Sequence, residues 1–200
     1  MTDTIAQTAM PLGALLYYPP TAPELAGILE LLKADTLADW PFGTDSELAK
    51  AVALINEGLQ SSDTMSEAYQ RLFVGPAHLF APPWGSVYLD KESVMFGDST
   101  LRLRAWLAEQ GIQAEPVENE PEDHIGLMLM LTAWLITNKP ETLNDYLAEH
   151  LFPWVGRYIE LLTEHADNSF YKGVAMLAAI SIKGWKEATG VSAKEYKLYL

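Results

Sequence analysis

The 200-residue chain contains no cysteine, which removes disulfide staples and thiolate metal sites from consideration. Basic residues are scarce. Thirteen Lys and Arg stand against 27 Asp and Glu, for a formal charge of −14. A surface of that sign repels phosphate backbones and anionic lipid, so nucleic acid and membranes are poor partners and cationic partners are favoured. The opening MTDTIAQTAMPLGALLYYPP holds no Lys or Arg, and the first basic residue is Lys33. It therefore lacks the positive start of a secretory leader. The longest near-continuous apolar run, Ile125 to Ile136, is too short to span a bilayer and suits a buried helix. The cytoplasm is the expected location, with no stable membrane insertion.

Catalytic signatures are missing as well. There is no G-x-S-x-G, no P-loop and no glycine-rich dinucleotide turn. His78, His124, His150 and His165 show no H-E-x-x-H spacing, and no E-x-x-H pair recurs as a di-iron bundle requires. Asp123 and His124 are adjacent, so on a helix their side chains diverge by about 100° and form no acid–base pair. No catalytic residue, metal or cofactor is expected.

What the chain does have is helical periodicity and 49% hydrophobic residues, enough for a packed core. In DSELAKAVALINEGLQ, Leu48, Val52, Ile55 and Leu59 form one apolar stripe behind a cap at Asp45 or Ser46. In TAPELAGILELLKA, Thr21 is placed to cap and Pro23 falls in the first turn. DSTLRLRAWLAEQG reads as a helix stopped at Gly111, and EPEDHIGLMLMLTAWLITN as one with proline in its first turn. Two helices part at Pro153, and a long one ends at Gly190. The expected fold is an all-α globule of about eight to ten helices. A polar segment, residues 111–121, is expected to act as a hinge between an N-terminal lobe, residues 1–110, and a C-terminal lobe, residues 122–200.

Two stretches stand out as sites. Glu118, Glu120, Glu122, Asp123 and His124 crowd the mouth of the most apolar helix. Carboxylates at a helix start also act as ordinary caps, but their number and the apolar helix beside them suit a cationic ligand. A neighbouring carboxylate favours the charged form of His124. The second stretch is the loop over residues 74–98, rich in proline, glycine and aromatics. Phe80, Tyr88 and Phe96 either plug the core or line a groove for an apolar segment, with Trp84 in PPWGS at one corner.

At YQRLFVGP, PPWGSVYLDKESVMFGDSTLRLR, NEPEDHIG and HLFPW the chain resembles the TorD/DmsD family of redox-enzyme maturation chaperones, and most of all its DmsD-like branch. The resemblance implies an all-helical cytoplasmic protein without catalytic activity. It implies binding to the twin-arginine signal peptide of a molybdoenzyme precursor, such as the catalytic subunit of dimethyl sulfoxide reductase. Export is thereby delayed until the cofactor is inserted. The Tat translocon and cofactor-insertion proteins become further partners. Transferred onto this sequence, the peptide site comprises Leu72, Phe73, Trp84 and Gly97 with Glu120, Pro121, Asp123 and His124. Relatives often carry tryptophan after the VGP turn, where this chain has Ala77, so that apolar contact is expected to shift toward His78 or Phe80. A monomer is expected, with a domain-swapped dimer if the hinge lets lobes exchange. The competing readings are a generic helical peptide-binding domain and a nucleotide binder.

Overall fold

Helical periodicity is realised along most of the chain. The computed structural model describes residues 2–33, 39–60, 62–113 and 120–200. Among these the α-helices are α1 (Thr2–Tyr17), α2 (Ala26–Lys33), α3 (Asp45–Gly58), α4 (Ser62–Tyr69), α5 (Gly85–Leu89), α6 (Asp98–Glu109), α7 (Ile125–Asn138), α8 (Leu143–Tyr146), α9 (Phe152–His165) and α10 (Ser169–Thr189). The all-helical expectation holds. Among the described residues, no helix is long and apolar enough to cross a membrane.

Local chemistry sets the helix ends, with two corrections. Thr44, not Asp45 or Ser46, caps α3: its hydroxyl accepts from the Glu47 amide while the Glu47 carboxylate accepts from the Thr44 amide. Thr21 caps nothing. A single 3-10 turn, Pro23–Leu25, begins at Ala22 and leads into α2. At the end of α6, Gly111 sits at φ 67, its amide bonds Ala108 O and the Ile112 amide bonds Leu107 O. That paired arrangement satisfies two carbonyls that the helix end would orphan. At Pro153 the chain does not break. A π-turn, Leu147–Leu151, joins α8 to α9, and the Ala148 carbonyl instead accepts from the Lys194 amide at 2.9 Å.

Packing runs across the expected lobe boundary. α1 lies along α7, α3 along α10, and the buried apolar residues before and after residues 111–121 form one cluster. Trp185 of α10 is fully buried and donates through Nε1 to the Thr8 hydroxyl of α1 at 3.0 Å. Tyr146 donates to the Met128 carbonyl inside α7 at 2.8 Å. Most of the expected hinge, residues 114–119, lies outside the described residues, as does Glu118.

Candidate functional site

Two helix starts meet at the acidic stretch. Trp84, before α5, and His124, before α7, are both extended and face each other as an isolated antiparallel bridge. The Gly85 amide donates to Asp123 O at 3.0 Å and the Ile125 amide to Pro83 O at 2.7 Å. Trp84 offers no side-chain cap to α5. Asp123 does so from across the bridge: its Oδ2 accepts from the Ser86 amide at 2.6 Å and from the Thr100 hydroxyl of α6 at 3.0 Å. One carboxylate thus ties α5, α6 and the entry to α7 together. Burial raises its pKa against the opposing pull of those hydrogen bonds.

The same device recurs nearby. Gly97 gives α6 no side-chain cap, and Asp90 accepts from the Ser99 amide and hydroxyl instead. A Cβ on Gly97 would collide with the Asp90 carboxylate, so glycine here makes room for a cap.

Glu120 and Glu122 are differently disposed. Glu120 is half-buried and accepts from Trp84 Nε1. Burial raises its pKa, and the nearby Asp123 adds to that effect. Glu122 pairs with Arg104 Nε at 2.6 Å. Both line a groove of about 450 Å³ whose walls are Met10 of α1, Leu107 and Ile112 at the end of α6, and Leu127, Met130, Leu131 and Trp134 of α7. Met10 and Trp134 are 45% and 40% exposed, so apolar surface lies open beside two carboxylates. Tyr17 completes the mouth. Its ring meets that of His124 edge-on at 5.1 Å, its pKa is raised by burial and then by Glu120, and its carbonyl accepts from the Tyr69 hydroxyl. The arrangement suits a ligand with a cationic head and an apolar continuation.

His124 is neutral, contrary to expectation. Its Nδ1 accepts from the Gly126 amide as the cap of α7, and burial outweighs any neighbouring charge, pushing its pKa down to about 3. In the unfolded chain it titrates near 6.5. Between those values the unfolded state binds a proton that the native state refuses, so acidification destabilises the fold by up to about 1.4 kcal/mol per pH unit. His150, pushed down to about 4, acts in the same sense. The raised Glu120 and Asp123 oppose it at the acid end of the window. His124→Asn keeps an acceptor for the Gly126 amide but cannot titrate. Urea unfolding from pH 6.5 to 4.5 should give a slope shallower by about one proton; an unaltered slope would place that uptake elsewhere.

Residues 42–160 match the family model described as nitrate reductase delta subunit. The Tat proofreading chaperone DmsD of Salmonella paratyphi A is 46% identical over 92% of this chain and 90% of its own. The chaperone protein YcdY of Escherichia coli is 30% identical over 88% of this chain and 91% of its own. The chain belongs to the TorD/DmsD family of redox-enzyme maturation chaperones. An Archaeoglobus fulgidus protein assigned to redox enzyme maturation matches with a TM-score of 0.59 at 19% identity, over 92% of this chain and 94% of that one, which bears on the fold alone.

Within this TorD/DmsD fold, the side chains of Trp84, Glu120 and His124 lie together. Pro121 is buried and turns the chain, its carbonyl accepting from the His124 amide. Other expected site residues stand elsewhere. Leu72 and Phe73 are core, with Phe73 packed on Tyr69 and Tyr171. Tyr88 is fully buried between Trp154 and Tyr158. These three have too much apolar surface in the core to line a groove. His78 and Phe80 are exposed; His78 meets Phe80 edge-on, and Phe80 stacks on His165 at the end of α9 at 4.5 Å. Phe96 is exposed and meets the site through Arg104. An open apolar groove lies along α7, a place the sequence reading does not anticipate. It had a signal: Leu127, Met130, Leu131 and Trp134 recur at i, i+3, i+4 and i+7, a second apolar stripe on a helix whose first stripe fills the core.

Proposed function

We propose that the chain binds the twin-arginine signal peptide of a redox-enzyme precursor across the groove formed by α1, α6 and α7, holding that precursor from export while its cofactor is inserted. The observation that carries this reading is the pair of carboxylates, Glu120 and Glu122, at one edge of an open apolar groove. A twin-arginine leader pairs two guanidinium groups with a moderately apolar stretch. Guanidinium engages carboxylate in a two-pronged geometry that ammonium lacks. The stretch behind it buries apolar surface against Met10, Leu131 and Trp134. The relatives named Tat proofreading chaperone support this reading, and the sequence resemblance makes the dimethyl sulfoxide reductase catalytic subunit the client class to test first.

Glu120→Gln is the direct test. A glutamine oxygen still accepts from Trp84 Nε1, so the corner stays assembled while the charge is lost. Titration calorimetry with a twin-arginine peptide should show affinity reduced about tenfold or more, as expected for one charge-assisted hydrogen bond. Equal affinity for wild type and variant would move the cation site away from Glu120. Equal wild-type affinity for a peptide with both arginines changed to lysine would favour generic peptide binding instead.

A further inference from the structure

Arg104 of α6 already places a guanidinium at the acidic mouth. Its Nε–H donates to Glu122 Oε2 at 2.6 Å, and its guanidinium carbon lies 5.4 Å from the centre of the Phe96 ring. The Glu122 side chain is 15% exposed and that of Arg104 40%, so the cation is the more accessible partner. Phe96 holds φ at 60°, in the left-handed region that bulky side chains avoid, and presents its ring to the guanidinium there. Glu120 is different. Among the described residues it accepts from Trp84 and forms no ion pair. The two carboxylates at the groove edge are thus one unclaimed by a cation and one occupied by the protein's own arginine.

We propose that Arg104 is a resident competitor for the second arginine of the ligand. This rests on the signal-peptide reading above. The first guanidinium of the paired head binds Glu120. The second displaces Arg104 from Glu122 and takes over its carboxylate and aromatic face. With Arg104 in place Glu122 is neutralised, so a ligand with one cation gains Glu120 alone. Only a paired head gains both carboxylates. The preference for two arginines over one then comes from the attraction itself, and the resident rival moderates it, keeping Glu122 paired until a paired head arrives.

The test uses the full chain, a twin-arginine peptide and the same peptide with its second arginine changed to glutamine. Arg104→Gln should bind the twin-arginine peptide about two- to fivefold more tightly, the scale of one partly exposed ion pair, and leave the single-arginine peptide unchanged relative to a charge control. That control is Arg102→Gln, which removes the same charge from α6 at a side chain lying over Tyr196. In wild type, the Nε–Hε NMR signal of Arg104 should shift on adding the twin-arginine peptide and stay put with the other. Weaker or unchanged binding by Arg104→Gln would overturn the proposal and make Arg104 a support for Glu122. Equal tightening of both peptides would overturn it in favour of general electrostatics. If wild type binds neither peptide, the signal-peptide reading itself fails, and this proposal with it.

Discussion

Asp123→Ala is expected to destabilise the fold by about 2–4 kcal/mol. The carboxylate is 3% exposed and accepts from a backbone amide and a hydroxyl through Oδ2. Hydrogen bonds to a charged acceptor contribute about 1.5–3 kcal/mol each. Their loss leaves the Ser86 amide, at the start of α5, without its cap. Part of that loss is offset, because the buried charge disappears too and its Oδ1 has no partner among the described residues. Asp123→Asn separates the contributions: it retains an acceptor oxygen and should recover most of the stability. Urea unfolding of both variants at pH 7 measures the difference. A midpoint for Asp123→Ala within error of wild type would show that the α5, α6 and α7 entries are held by something else. Peptide affinity should also fall in this variant, but because the site is no longer assembled. Reading Asp123 as a direct clamp for the cation is therefore corrected: its polar atoms face inward and two donors already use one of its oxygens.

This residue shows where the sequence was legible and where it was not. Helix positions followed from apolar periodicity and from Gly111 and Gly190, because those signals act within a few residues. A capping interaction from a distant segment leaves no local trace. Asp90 and Asp123 cap helices by accepting from amides nine and 37 residues away in the chain, and in sequence they look like surplus acidity. The surplus at the helix mouth was real but divided: Asp123 is structural, Glu122 is paired and Glu120 faces the groove. Phe73 and Tyr88 look like groove aromatics because aromatic composition does not distinguish the inside of a loop from its outside. The stripe on α7 was readable from spacing alone. It was obscured because an apolar helix explains itself as core, so a second apolar face on it prompts no question.

Gly126→Ala should destabilise the protein by about 3 kcal/mol, toward the upper end for overpacking. At this position α7 crosses α1 at backbone contact. A Cβ on Gly126 would stand 2.6 Å from Tyr17 Cβ, 2.7 Å from the Gly13 carbonyl oxygen and 3.0 Å from the Tyr17 amide nitrogen. A Cβ on Gly13 would meet Gly126 O at 2.7 Å in return. Backbone cannot swing aside as a side chain does, so α1 must move as a unit, and it carries Ile5, Ala9, Leu12, Ala14, Leu15 and Leu16 of the common core with it. Gly13→Ala should cost a similar amount. The double variant should cost less than the sum, because one separation of α1 from α7 relieves both collisions. Thermal or urea unfolding of the two single variants and the double variant closes that cycle; strict additivity would mean the helices do not meet through these glycines. The displacement also has a functional reading. Tyr17 lies one turn beyond Gly13 and packs on His124, so opening the crossing pulls the tyrosine from the acidic mouth. Under folding conditions Gly126→Ala should therefore bind the twin-arginine peptide more weakly than its residual folded fraction accounts for, whereas a core substitution of equal cost placed on α10 should reduce binding only in proportion to unfolding.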